Sequence, residues 1–163
     1  MTHNLKTGDI LHCRNNRWLS KLIRWATRSS WSHTAIYIEI NGRPFIIEAQ
    51  KNGVNIKTFD NWEKQYGYYW EAHRNLAMPP ERVFFDRAIS KAGVTGYDFD
   101  DLIIKHPWRL ITGKWKREPN EDEDMYCSYY AMWTHEVPDA YKMRPDEAFA
   151  YCERHTESYM KIK

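Results

Sequence analysis

HTAIYIEINGRPFIIEAQ, residues 33–50, is the stretch on which the fold turns. Its first eight residues alternate with a period of two and are rich in β-branched side chains, as in a half-buried strand. Asn41-Gly42 is the strongest short signal for a two-residue hairpin turn, and FIIEAQ is the returning strand. With that turn Ile40 pairs with Arg43, and the numbers of every cross-strand pair sum to 83. His33 then lies opposite Gln50 and Ala35 opposite Glu48, all four on one face. They fall at non-hydrogen-bonded positions, where opposing side chains approach most closely, so His33 and Glu48 are diagonal neighbours. Pro44 also occupies such a position, where its missing N–H costs no ladder bond. A loop one residue longer would put His33 and Glu48 on different faces.

Working outward, Gly8-Asp9 followed by Ile10-Leu11 opens a short first strand. RWLSKLIRWATRS places Trp18, Leu19, Leu22, Ile23 and Ala26 on one helical face, expected to pack inward, with Lys21, Arg24 and Arg28 solvated. Downstream, Gly53-Val54 and the stretch from Tyr68 to Arg74 read as further strands. Pro79-Pro80 start a helix with apolar Phe84, Phe85, Ala88, Ile89 and Ala92. GVTGYDFDDLI reads as a loop, and the basic, then acidic, run from Lys105 to Asp124 as a surface connection. A helix around Cys127 follows, with Pro138 expected to end it, and a last helix begins at Pro145. The expected architecture is α+β, with helices packed on a small antiparallel sheet.

At 163 residues the chain suits one domain, residues 1–163. Its 42% hydrophobic and 28% charged content is that of a globular protein. Eight Trp and eleven Tyr imply a core or cleft of large flat side chains. The net charge of +2 gives no electrostatic argument for nucleic acid as a partner. No apolar run approaches the ~20 residues of a membrane span, and MTHNLKTGDILHC lacks a signal-peptide pattern. The expectation is cytoplasmic residence, with a phage-encoded origin admissible; oligomeric state is not legible.

The three cysteines cannot all pair with one another. A thiol is nucleophilic as thiolate, and a helix N-terminus beside an imidazolium lowers its pKa. Asp124 is a candidate N-cap that would put Cys127 in the first helical turn. The acids from Glu121 to Asp124 work against the thiolate unless they face solvent. Free cysteine is otherwise common core filler. Cys13, after an apolar strand pair, and Cys152, four positions after Ala148, read that way. Cys152 and His155 have a ligand-like spacing and His12 adjoins Cys13, but no second pair has the spacing of a zinc module, so no metal and no cofactor are expected.

Five blocks, GDIL, WSHTAIYIE, IIEAQKNGV, TGYDFDDL and MYCSYYAMW, occur in that order over nearly the whole chain. Together they resemble the circularly permuted papain-like hydrolases of the NlpC-type superfamily, in particular the YiiX/YebB-like group. The resemblance implies a permuted papain-like fold in which the histidine strand precedes the cysteine helix. It also implies Cys127 as nucleophile, His33 as general base and Glu48 as the residue orienting it. The family usually carries an acid after Cys-Ser, where this chain has Tyr129, which bears on substrate contacts near the thiol.

By that analogy Cys127 attacks a carbonyl carbon and forms a thioester that water or another acceptor resolves. The Cys127 backbone N–H is a candidate oxyanion donor. Tyr37, Gln50 and Ser128 are candidate oxyanion or substrate-binding residues, although Tyr37 reads equally as sheet packing. The expected substrate is a cell-wall peptide or a lipid-like acyl group, consumed by hydrolysis or acyl transfer. The alternatives are a non-catalytic binding module with the same cleft, and a structural protein with a buried free thiol.

Overall fold

The Asn41-Gly42 turn forms with both residues at positive φ, 51° and 72°, the signature of a type I′ turn. It joins β2 (His33–Ile40) to β3 (Arg43–Gln50), and the register pairs Ile40 with Arg43, Tyr37 with Ile46 and Ile36 with Ile47. Every pair sums to 83, as the turn length requires. The computed structural model describes residues 4–67, 69–93 and 125–163. The loop with TGYDFDDL, the KWKR stretch and Asp124 lie outside the described residues.

Around the hairpin stand β1 (Ile10–Cys13), β4 (Gly53–Thr58), β5 (Trp70–Asn75) and β6 (Tyr159–Lys161). They make one antiparallel sheet in the order β4-β3-β2-β1-β5-β6. Five α-helices are described: α1 (Trp18–Thr27), α2 (Phe59–Tyr66), α3 (Glu81–Ser90), α4 (Cys127–Thr134) and α5 (Pro145–Arg154). A 3₁₀ turn at Ala140–Lys142 separates the last two. Pro145 starts α5 as its first residue, where its missing N–H is harmless.

Strand alternation divides the core in two. On one face Ile10, Ile36, Ile38 and Ile47 join Phe84, Tyr130, Ala148 and Cys152 of the helices. On the other, Leu11, Cys13, Ala35 and Ile46 join Phe59, Trp62 and Tyr66 of α2. The Gly8-Asp9 pair anchors the seam between β1 and β5. Gly8 has φ 91°, a backbone conformation that strains any residue with a Cβ, and the Met78 side chain packs over the place where a Cβ would project. Asp9, fully buried, accepts two hydrogen bonds from the Arg74 guanidinium at 2.8 Å.

Several expectations are corrected. Trp18 and Leu22 do not pack inward: they are 75% and 36% exposed, while Ser20 and Ile23 face the body. The helix rotates its aromatic edge outward because the small Ser20 lets it approach Ser32, with the two hydroxyls 2.6 Å apart. The N-cap of α4 is Tyr126 rather than Asp124, and Cys127 is the first helical residue. That helix ends at Thr134, before Pro138. The strand expected from Tyr68 begins at Trp70. Neither α2 nor β6 was expected; both are short elements that follow another element closely.

Candidate active site

Glu48 is fully buried, and its carboxylate meets four donors. One oxygen receives the His33 Nε2–H at 2.5 Å and the Trp62 indole N–H at 3.1 Å. The other receives the Gln50 amide at 2.6 Å and the Lys57 ammonium. An ionised carboxylate has about four acceptor sites, and all are used. Burial alone would raise the Glu48 pKa; His33 and Lys57 outweigh it and hold the group below its ordinary value.

The hairpin register brings His33 to this carboxylate, as diagonal neighbours on one face. Tyr66 of α2 lies parallel to the His33 ring, at 5.5 Å between centroids and 3° between planes. A flat electron-rich face so placed favours the cationic form of the ring. With Nε2 turned to Glu48, the second ring nitrogen is left for Cys127, to which His33 is also hydrogen-bonded.

Cys127 is fully buried. Burial opposes its ionisation, but the adjacent His33, its hydrogen bond and the backbone N–H groups of Thr34 and Ser128 outweigh that. The thiol is thereby brought below its ordinary value. Its start-of-helix position adds the positive end of the α4 dipole. Burial likewise pushes the His33 ring down, and Cys127 and Glu48 together drive it up to about 10. The two shifts are reciprocal: each group favours the charged form of the other. By contrast, burial pushes the Cys13 thiol well up, so it stays protonated.

The other anticipated residues are distributed differently. Gln50 is at the site, but its amide is committed to Glu48. The Ser128 hydroxyl donates to the Met143 carbonyl at 2.6 Å, leaving only its backbone N–H toward the thiol. Tyr37 sits four residues along β2 from His33, roughly 13 Å at the strand rise, and packs edge-on against Phe59. Lys57, Trp62 and Tyr66 were missed. The signal for α2 was present in Phe59, Trp62 and Tyr66, which recur at helical spacing and are its buried face.

A cavity of about 220 Å³ opens beside His33. Ile23, Ala49 and Tyr66 give it apolar walls, and Arg17, Lys51 and Gln50 place charge and hydrogen-bonding groups around it.

A second group lies on the opposite face of the sheet. His12 of β1, His73 of β5 and Cys152 of α5 are all buried, with one potential ligand atom of each within 4.8 Å of the others. Cys152 also packs in the core as expected, and its sequence neighbour His155 bonds the Tyr151 carbonyl at 2.8 Å. Spacing could not reveal it, because the three residues come from distant parts of the chain.

Among known proteins, the family described as permuted papain-like amidase enzymes, YaeF/YiiX, C92, matches residues 4–89. That span carries His33 and Glu48 and ends before Cys127. No curated protein matches the sequence. Of solved structures, the chain is similar to the metalloprotein YiiX from Escherichia coli O157:H7, with a TM-score of 0.50 and 22% identity over 69% of each chain. That likeness speaks for the fold. No described helix is long and apolar enough to cross a membrane.

Proposed function

The chain belongs to the permuted papain-like amidases of the YaeF/YiiX C92 family, and from that premise we propose that it cleaves an amide bond through a thioester on Cys127. The observation that carries this reading is the thiol of Cys127 hydrogen-bonded to a His33 ring whose other nitrogen is held by the four-fold-saturated Glu48.

In this reading the Cys127 thiolate attacks the carbonyl carbon, forming a C–S bond and an oxyanion. The Cys127 backbone N–H, at a helix start where no intrahelical acceptor exists, donates to that oxygen. His33 gives its proton to the departing nitrogen as the C–N bond breaks, and the amine leaves. Neutral His33 then takes a proton from water, the hydroxide adds to the thioester, and Cys127 departs as thiolate. Glu48 keeps the ring oriented and favours its cationic form throughout. Tyr66 and Trp62 hold the ring and the carboxylate in place.

For the substrate we favour a short peptide amide carrying a carboxylate. Arg17 and Lys51 supply positive charge at the rim of a cavity too small for a long acyl chain. Turnover of acidic peptide amides, lost in Cys127→Ala, supports this substrate class. Equal or faster turnover of long-chain acyl esters shifts the substrate to lipid, and transfer to an added amine makes the enzyme an acyltransferase. The complete burial of Cys127 favours a second reading, a cleft that binds without chemistry. Alkylation decides between them: a thiol no faster than a free model thiol near neutral pH, or indifferent to loss of His33, sinks the enzyme reading.

A further inference from the structure

We propose that His12, His73 and Cys152 form a binding site for a divalent transition-metal ion of the zinc type, on the face of the sheet opposite the His33 and Glu48 side chains. The backbone prepares the site. His12 pairs across from Glu71 and Ile10 across from His73, so the two histidines are diagonal neighbours projecting from one face. Cys152 comes down on them from α5, one turn after Phe149, whose ring stands edge-on to both imidazoles at 5.3 and 5.2 Å.

Three features separate this cluster from ordinary packing. Both ring nitrogens of His12 are buried without a hydrogen-bond partner, as is Nδ1 of His73. Buried polar atoms are rarely left so, because each carries an uncompensated desolvation cost. His73 offers its other nitrogen, Nε2, to the Glu153 carboxylate at 2.7 Å. That bond fixes the tautomer and leaves Nδ1 with a free lone pair, the arrangement by which a carboxylate orients a metal-binding imidazole. Finally, the potential ligand atoms lie within 4.8 Å of one another. A tetrahedral zinc ion needs separations of roughly 3.3–3.8 Å, from Zn–N and Zn–S bonds of about 2.0–2.3 Å. Side-chain movements on the order of 1 Å close the difference.

Two imidazoles and a thiolate are borderline-soft donors that suit zinc and cobalt and disfavour calcium or magnesium. The fourth tetrahedral position falls to water. Binding releases the Cys152 proton and joins β1, β5 and α5 through one ion. An ion held only by the folded chain stabilises it by mass action.

The test uses Cys127→Ala, which leaves Cys152 as a donor while removing the other candidate thiol. Cobalt(II) titration of this variant and of the unaltered protein should give one equivalent of bound metal, with tetrahedral visible bands and a thiolate-to-cobalt charge-transfer band. Zinc should displace it and raise the unfolding temperature. Cys152→Ala should lose the charge-transfer band. Glu153→Gln, at a residue 43% exposed by its side chain, should weaken binding about 10–100-fold without unfolding the protein. Absence of the band in both the unaltered protein and Cys127→Ala overturns the site. So does a band that survives in Cys152→Ala but disappears in Cys127→Ala.

Discussion

At His33 two opposing influences meet, burial and charge, and charge prevails. On the proposed mechanism the consequence is a pH profile with two limbs. Below the lowered Cys127 pKa the thiol is protonated and turnover falls. Above about 10, where His33 loses its proton, the leaving nitrogen has no acid and turnover falls again. His33→Ala removes the largest influence that lowers the thiol and leaves only the Thr34 and Ser128 N–H groups against burial, so alkylation near neutral pH should slow by about a hundredfold or more. Trp62 offers a separate check. Trp62→Phe keeps an aromatic ring but strips Glu48 of one donor, which should cost about 1.5–3 kcal/mol in urea unfolding, from loss of a charged hydrogen bond. A fully stable variant would mean that Gln50, Lys57 and His33 suffice. At this scale the sequence was informative about the His33–Glu48 contact, because strand alternation and a turn of fixed length leave no freedom. It was silent on Lys57 and Trp62, whose approach to the carboxylate depends on β4 and α2 packing over the hairpin.

Among elements, the hairpin carries the greatest leverage. Its turn holds Gly42 at φ 72° with open space where a Cβ would project. Gly42→Ala should therefore cost about 1 kcal/mol, from the left-handed backbone alone. Chemical denaturation measures the cost, and thiol reactivity should stay unchanged because the pairing register is also held by β1 and β4. A fall in Cys127 reactivity would instead show that the register had slipped. The long elements were legible from periodicity. α2 was passed over although Phe59, Trp62 and Tyr66 recur at helical spacing, because eight residues directly after a strand carry that pattern for only two turns. α1 shows a different limit: its apolar positions are periodic, yet a small polar residue, Ser20, decides which edge approaches the body. Periodicity identifies a helix more reliably than it identifies the side that packs.

For the molecule as a whole, β1 is the seam. It joins the β2–β4 half of the sheet to the β5–β6 half, and the Asp9–Arg74 pair closes that junction. Asp9 is fully buried, and the Arg74 side chain is 14% exposed. Asp9→Asn leaves the guanidinium uncompensated, so the variant should lose about 3–5 kcal/mol, read from urea midpoints. The two probes, tryptophan fluorescence and far-ultraviolet circular dichroism, should still move together if the halves unfold as one. The α+β class and the order of the longer elements were readable from the chain because each keeps its local pattern, whereas α2 and β6 were not. The gathering of His12, His73 and Cys152 was not, since no local pattern links two adjacent strands to a helix so far along the chain.

The order of those blocks also sets a timetable for synthesis. The ribosome releases the β2–β3 hairpin, with His33 and Glu48, well before it reaches Cys127. At 5–20 residues per second the interval is on the order of ten seconds. Throughout that time the His33–Glu48 pair lacks Cys127, and when that thiol emerges it remains an ordinary one until α4 docks on the sheet. The lowered pKa of Cys127 thus belongs to the folded chain alone, and on the proposed mechanism its reactivity arises only at the moment of tertiary closure.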